Sequence, residues 1–382
     1  MRFAEFTDEW EKYELSHFVT RITRRNKNNE SSLPLTISAQ YGLVDQISFF
    51  NKTVASVDLS GYYLLYNGDF AYNKSYSNEY AWGAVKRLDK YEKGCLSSLY
   101  FVFRPNDNVD SDYLTHYFES SKWHKGISNI AGEGARNHGL LNMSVDDYFA
   151  TKHCLPSLPE QKKIARFFNA ITRRIEIQNK IIEDLKILKK ELCNKVFSKG
   201  TAVRLGELIE EVTVRNKSNA CDNVLSVSNK MGFIKQSEQF EDRTIASENK
   251  SNYKVVTKGC FAYNPARINV GSIALLSSHS VGIISPMYVC FKAKNVLDST
   301  YLSFYYQSSF FARELQKKLE GSVRQCLTYE NMRETSIPYV DIERQREIAT
   351  TLNRFTMLIA TEEKCLKALQ KQKSYFLNAM FI

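Results

Sequence analysis

The chain is written twice, and a domain duplication constrains its fold more than any other feature. Arg25-Asn26-Lys27 recurs as Arg215-Asn216-Lys217, and Leu35-Thr36-Ile37-Ser38 as Leu225-Ser226-Val227-Ser228, both at one and the same offset. Gly68-Asp69-Phe70-Ala71-Tyr72-Asn73 returns as Gly259-Cys260-Phe261-Ala262-Tyr263-Asn264, at a slightly longer offset. Asp112-Tyr113-Leu114 returns as Thr300-Tyr301-Leu302 at a slightly shorter one, and Gln161 to Phe197 runs without a gap against Gln345 to Phe381. Small drifts in offset are what loop insertions do to two copies of one fold. The period is too long for a stacked solenoid. Each copy reads as a mixed domain of roughly 150 residues followed by a helix of roughly 40, with 382 residues ample for several compact units.

The mixed segments, 1–156 and 201–340, alternate short strand-like runs with Gly, Asn, Asp and Ser breaks. Tyr62 to Tyr66 before Asn67-Gly68 and Leu99 to Phe103 before Arg104-Pro105 are two such runs. Tyr113 to Phe118 and Tyr301 to Tyr306 read as short helices. Met143 and Tyr148 are assigned to packing. The expected class is α+β.

The helical segments, 157–200 and 341–382, carry heptad seams. The first runs through Ile164, Phe168, Ile171, Ile175, Ile182, Leu185, Leu192 and Val196. The second runs through Ile348, Leu352, Phe355, Ile359, Leu366, Leu369, Phe376 and Met380. Gln178 and Lys189 interrupt one seam, and Glu362 and Lys373 interrupt the other at matched positions, which points to register control. Ser157 and Glu160 form a capping box, Asp341 is the matching N-cap, and Gly200 stands as a C′ residue. A helix about 58 Å long cannot bury its seam alone. The two are expected to pack together as an antiparallel coiled coil.

Charge bears on partners. The net charge is +10 and the pI about 9.0, which favours nucleic acid as a ligand. The eight cysteines are scattered without a C-x-x-C, so neither a zinc site nor a disulfide frame is expected. The opening Met1-Arg2-Phe3-Ala4-Glu5-Phe6 has no apolar core of a signal peptide, and no apolar run reaches the roughly 18 residues of a membrane span. A reduced, cytoplasmic protein without a membrane is the expectation.

The string Leu155-Pro156-Ser157-Leu158-Pro159-Glu160-Gln161-Lys162-Lys163-Ile164-Ala165, its heptad and its Lys195-Val196-Phe197 ending resemble the central region of type I restriction-modification specificity subunits. Ile337-Pro338 through Gln345-Arg346-Glu347-Ile348-Ala349 to Met380-Phe381 is similar to their C-terminal region. Trp10 to Leu15, the Gly-x-Phe-Ala-Tyr-Asn strings and Tyr80 to Val85 add to the resemblance, which covers essentially the whole chain. Two departures are Ser16, where the second copy has Gly206, and Glu343-Arg344 in place of Pro-Glu, which would loosen the start of the second helix. The resemblance implies two target-recognition domains that each read one half of a split double-stranded DNA sequence. It also implies that the helices set the gap and dock two methyltransferase subunits, with motor-nuclease subunits joining them. S-adenosylmethionine, ATP and Mg would sit on those partners, and no cofactor or catalytic residue on this chain.

Reading duplex DNA needs cations for phosphates and forked or amide side chains for base edges. Three pairs of loops supply them. Arg24, Arg25 and Lys27 match a stretch with Arg215 and Lys217. After the shared Tyr-Asn, one copy has Lys74-Ser75-Tyr76 and the other Pro265-Ala266-Arg267-Ile268-Asn269. Arg136-Asn137 corresponds to Arg324-Gln325. A solvated turn is the plainer reading of each. An amino-methyltransferase is not expected, because Asn264-Pro265-Ala266-Arg267 lacks the second proline and the aromatic ring of that motif. Glycine-rich nucleotide loops and a nuclease-type Asp…Glu-x-Lys cluster are missing too. The competing reading is a non-enzymatic coiled-coil adaptor, which would have no need of the Arg-amide loops.

Overall fold

The repeated Gly-x-Phe-Ala-Tyr-Asn string forms the central strand of each mixed domain, and its alternation explains the motif. Side chains of a strand point alternately to opposite faces. Phe70 and Tyr72 join the core that carries the helices, whereas Ala71 faces a second core between two sheets. Phe261 and Tyr263 do the same in the second copy, with Ala262 facing the inter-sheet core. Large rings fill the helix-facing side, and a methyl group keeps the sheets close.

The protein is described here by a computed structural model covering residues 1–77, 80–131, 139–229, 231–239, 249–319 and 325–382. Two compact units emerge, Met1–Asn179 with Cys365–Ile382, and Lys180–Lys364. Strands of the first are β1 (Glu11–Glu14), β2 (Val19–Arg21), β3 (Pro34–Ser38), β4 (Gly42–Asp45), β5 (Tyr63–Tyr66), β6 (Phe70–Asn73), β7 (Ala84–Arg87), β8 (Lys93–Leu96), β9 (Phe101–Pro105) and β10 (Lys152–Leu155). Those of the second are β11 (Thr201–Arg204), β12 (Ile209–Glu211), β13 (Val224–Ser228), β14 (Gly232–Lys235), β15 (Lys254–Thr257), β16 (Cys260–Tyr263), β17 (Ile273–Leu275), β18 (Val281–Ile284), β19 (Val289–Ala293) and β20 (Ser336–Tyr339).

The two topologies are the same. Sheet β2-β9-β6-β7 corresponds to β12-β19-β16-β17, sheet β4-β3-β8-β5 to β14-β13-β18-β15, and ribbon β1-β10 to β11-β20. Pairing is antiparallel except for β3 with β8 and β13 with β18. The repeated Arg-Asn-Lys is explained by its asparagine. Buried Asn26 donates to the Ser31 carbonyl and accepts from the Ser31 N–H (2.8 and 3.1 Å), and Asn216 does the same with Cys221 (2.9 and 3.2 Å). Met143 and Tyr148 lie in the core, as assigned.

The long helices run over Leu158–Val196 and Ile342–Met380. Every residue of both expected seams is buried or half-buried. Within the first unit Phe167 meets Phe376 edge-on at 5.1 Å and Phe168 stacks on Phe381 at 5.6 Å, so the start of one helix faces the end of the other. Within the second unit Lys186 pairs with Glu363 at 2.6 Å, while Leu192 and Val196 share a core with Ile348 and Leu352. Both units therefore show antiparallel pairing.

A short helix of each mixed domain lies on this pair. Ser111–Glu119 and Ser299–Tyr305 begin at Asp110 and Asp298, whose carboxylates accept from Tyr113 N and Tyr301 N (2.9 and 2.8 Å). Fully buried Phe197 packs on Tyr301 and Tyr305 (4.9 and 5.7 Å), and Phe381 packs on Tyr113 and Tyr117 (5.4 and 5.8 Å).

Several expectations are revised. Glu160 does not close a capping box. Its carboxylate is fully buried and takes a bidentate pair from Arg2 at 2.7 and 2.6 Å, a charge-assisted geometry stronger than a single backbone N–H. The second long helix does start firmly, because Asp341 accepts from Arg344 N at 3.0 Å. Gly200 lies beyond the helix end, where its φ of +117° and a would-be Cβ 2.9 Å from the Tyr339 carbonyl oxygen demand glycine. The two seam lysines serve their mixed domains: Lys373 pairs with Glu119 at 2.8 Å, and Lys189 sits 5.2 Å from the Phe304 ring centroid.

His153 on β10 is buried, hydrogen-bonded to Tyr117 and Thr151 (2.8 Å each), and burial lowers its pKa from 6.5 to about 4. Its place in the second unit is taken by Ile337. Because the folded value lies below the unfolded one, the unfolded chain binds the extra proton between them. His153 should therefore cost the first unit on the order of 1 kcal/mol of stability per pH unit as pH falls from 6.5 towards 4. All three tryptophans, Trp10, Trp82 and Trp123, belong to that unit, so urea unfolding followed by tryptophan fluorescence at pH 7 and pH 5 reads it selectively. His153→Gln, which keeps two polar ends and cannot be protonated, should flatten the slope.

Candidate nucleic-acid interface

In both units the segment after the shared Tyr-Asn is hydrogen-bonded to the segment after the Arg-amide loop. In the first, Leu141 N donates to the Lys74 carbonyl at 3.0 Å and Tyr76 N to the Gly139 carbonyl at 3.1 Å, with Ser75 bridging Leu140. In the second, Leu327 N donates to the Pro265 carbonyl at 3.2 Å. Lys74 and Pro265 hold the same place in the two copies, and the carbonyl of each accepts from the segment beyond the Arg-amide loop. Two loops well separated in sequence are thus brought together at one place on one frame, twice.

What the loops carry differs. Asn73 accepts from Ser75 N at 2.9 Å, and the chain continues extended, with half-buried Lys74 set 4.9 Å from the Phe101 ring centroid and Tyr76 against the core. Asn264 accepts from Ala266 N at 3.1 Å and caps a 3-10 helix, Pro265–Val270. Proline's fixed φ suits that first position. Ile268 is buried beneath it and Gly271 ends it at a φ of 85°. Arg267 and Asn269 flank the buried isoleucine and are exposed, and Gln325 is exposed as well. A guanidinium and an amide on a capped, anchored turn give the donors and acceptors that base edges require. Arg136, Asn137 and Arg324 lie outside the described residues.

The remaining candidates sit on the other sheet of each unit. Arg24 donates to the Leu64 carbonyl at 2.8 Å, pairs with Asp69 and lies 4.3 Å from the Tyr66 ring centroid. Arg25 donates to the Gly61 carbonyl at 2.8 Å over the Tyr63 ring, and Arg215 to the equivalent Asn252 carbonyl at 3.3 Å. Lys27 and Lys217 are exposed beside them. Arg24 is thus engaged in holding the frame, whereas Arg25, Arg215 and the two lysines border the surface.

Sequence reasoning missed the partner that engages Arg24. Asp69 is fully buried and also accepts from Arg104 at 2.6 Å and from Tyr66 N at 2.8 Å. The second unit has Val214, Cys260 and Lys292 in those three places. The mismatch of Asp69 with Cys260 inside an otherwise matching string was the available signal. A second omission is a polar chain across the mixed domain and the long helices. His116 bonds Asn169 at 2.7 Å, Asn169 donates to Asp112 at 2.9 Å, and His116 faces Glu119. Burial opposes ionisation of Glu119, but His116 and Lys373 outweigh it and lower its pKa to about 2. Among the described residues no group of three or more His, Cys, Asp or Glu could hold a metal, and no helix is long and apolar enough to cross a membrane.

Residues 201–371 match the family model of the type I restriction modification DNA specificity domain. The putative type I restriction enzyme MjaX specificity subunit of Methanocaldococcus jannaschii is 22% identical over 405 residues, covering 99% of this chain and 94% of that one. A chain from a study of complex assembly and conformational transition of the type I R-M system superposes with a TM-score of 0.57 at 17% identity, over 98% of both chains. The type I restriction-modification S subunit of M. genitalium gives 0.55 at 14% identity, over 100% of this chain and 97% of that one. These structures share the α+β fold with its two long helices, and the resemblance read from the repeated strings holds along the whole chain.

The buried carboxylate generates a prediction. Asp69→Ala strands two partly exposed guanidiniums and the Tyr66 N–H, and should destabilise the first unit by about 1–3 kcal/mol. Lys27→Ala, at an exposed site on the same sheet, should stay within about 0.5 kcal/mol. Denaturant midpoints followed by tryptophan fluorescence distinguish the two.

Proposed function

We infer that this chain, similar along its length to type I restriction-modification specificity subunits, reads a split DNA sequence, one half with each mixed domain. The observation that carries this is the paired loop arrangement. Two copies of one frame bring the same two segments together, yet furnish them with different side chains at Lys74, Ser75 and Tyr76 and at Arg267 and Asn269. A frame kept constant while its polar tips diverge is what two readers of different bases require.

Within that reading each loop is given a role. Arg267, Asn269 and Gln325 in the second unit, with Tyr76 and Lys74 in the first, address bases. Arg136, Asn137 and Arg324 keep the base-reading role assigned from sequence. Lys27, Lys217, Arg25 and Arg215 address phosphates, and Arg24 supports them from within. The long helices separate the half-sites and dock two methyltransferase subunits, with motor-nuclease subunits completing the assembly. S-adenosylmethionine, ATP and Mg belong to those partners, and the chain itself is non-catalytic. Its place is the cytoplasm, where the DNA is.

Methylation mapping in cells that express the chain with its methyltransferase partner tests this reading. A two-part motif should appear, and deletion of either mixed domain should abolish it. Failure to find a split motif despite a stable complex would refute the function. Within that assay Arg267→Ala should cost about 1–3 kcal/mol at one half-site through loss of a bidentate base contact. Lys217→Ala should instead weaken binding to all sequences alike and lower the slope of log affinity against log salt by about one.

A further inference from the structure

Each long helix buries a glutamine in its first turn. Gln161 and Gln345, which hold the same place in the two copies, are 1% and 0% exposed, one turn before the seams begin at Ile164 and Ile348. Each amide ties three elements together. The Gln161 carbonyl oxygen accepts from Asp110 N at 2.8 Å, at the start of helix Ser111–Glu119, and its amide donates to the Pro156 carbonyl at 2.9 Å, just after β10. The Gln345 carbonyl oxygen accepts from Asp298 N at 2.8 Å, at the start of helix Ser299–Tyr305. Its amide donates to the Val340 carbonyl at 2.8 Å, just after β20, and to the Val296 carbonyl at 3.2 Å.

The adjacent aspartate completes the joint, because its side chain caps the short helix while its own N–H is given to the glutamine. Packing alone leaves helix orientation loose, with scatter of about 15–20° around preferred angles. A buried amide whose hydrogen bonds must all be made is costly to leave unmet, so it selects one angle. A swing of about 10° on a lever of about 20 Å, the scale of such a domain, moves a loop by about 3.5 Å. That matches the roughly 3.4 Å that one base pair adds along the axis of a DNA duplex.

We propose that Gln161 and Gln345 are positioning residues that fix the angle of each mixed domain on its stretch of long helix, and so help set the number of base pairs between the half-sites. The spacer is then written at these two joints as well as in helix length. This rests on the split-sequence reading.

The test uses the full chain with its methyltransferase partner and duplexes carrying the mapped half-sites at the native spacer and at one base pair more or fewer. Gln161→Met and Gln345→Met, nearly isosteric and unable to make the three-way bonds, are made separately. Each should reduce the preference for the native spacer by about tenfold, the scale of one or two hydrogen bonds. Base preference within both half-sites should stay as in the unaltered protein. An unchanged spacer preference in either variant overturns the proposal. So does loss of base preference in the half-site of the altered unit, which would make the glutamine a support of the domain itself. If the unaltered complex shows no preference for a split sequence at all, it is the proposed function that fails.

Discussion

Phe197 and Phe381 are the contact on which the rest of the structure depends. Each closes a long helix, is fully or almost fully buried, and presses into a pair of tyrosines on the short helix of a mixed domain. Apolar burial near 25 cal/mol per Å² makes an aromatic ring one of the largest single contributions available. They act beside the polar ties made by Gln161, Gln345 and Lys373, and supply the apolar share of the attachment. With them, core residues of each helix pair and of a mixed domain become one cluster, Phe168 beside Tyr113 in one unit and Leu352 beside Tyr301 in the other. In each unit a glutamine near the start of one long helix and a phenylalanine just past the end of the other hold the mixed domain, Gln161 with Phe381 in the first and Gln345 with Phe197 in the second.

Much of this was legible in the sequence, for a physical reason. A helix seam repeats every seven residues and a strand every two, so the signal is local and survives in one sequence. The two seams came from that period, the helix starts from the caps Ser157 and Asp341, and the antiparallel pairing from one chain that carries both helices with a domain between them. The illegible parts are contacts that no period announces. Glu160 looked like a capping residue because Ser157 stands three positions before it, yet its partner is Arg2, at the far end of the mixed segment. Lys189 and Lys373 looked like faults in a two-helix seam because their true neighbours, Phe304 and Glu119, lie in another element.

The candidate site was legible to a lesser degree. Sequence matching found the loops, because both copies carry arginines and amides at corresponding places, but it could not divide frame from surface. Arg24 and Arg25 are adjacent and chemically identical, yet one faces a fully buried aspartate and the other borders solvent. That distinction needs Asp69, which the alignment of copies hid behind Cys260. Nor could the sequence foresee that Lys74 and Pro265 each bond to the far loop through the backbone, since a carbonyl carries no residue code.

Differences between the copies therefore fall into two kinds. Some are compensated inside the fold. Buried Asp69 with Arg24 becomes Cys260 with Val214, and the exposed Arg104 becomes Lys292. A buried charge removed together with its partner can be nearly neutral, whereas removing one alone is costly, so such changes travel in sets. Others, at Lys74, Ser75 and Tyr76 against Pro265, Ala266 and Arg267, change the course of the chain itself, extended in one copy and a capped 3-10 turn in the other, while a backbone bond to the far loop is kept in each. The joints at Gln161 and Gln345 show the opposite behaviour, because the same amide meets the same two kinds of backbone partner, the start of a short helix and the end of a ribbon strand, in both copies.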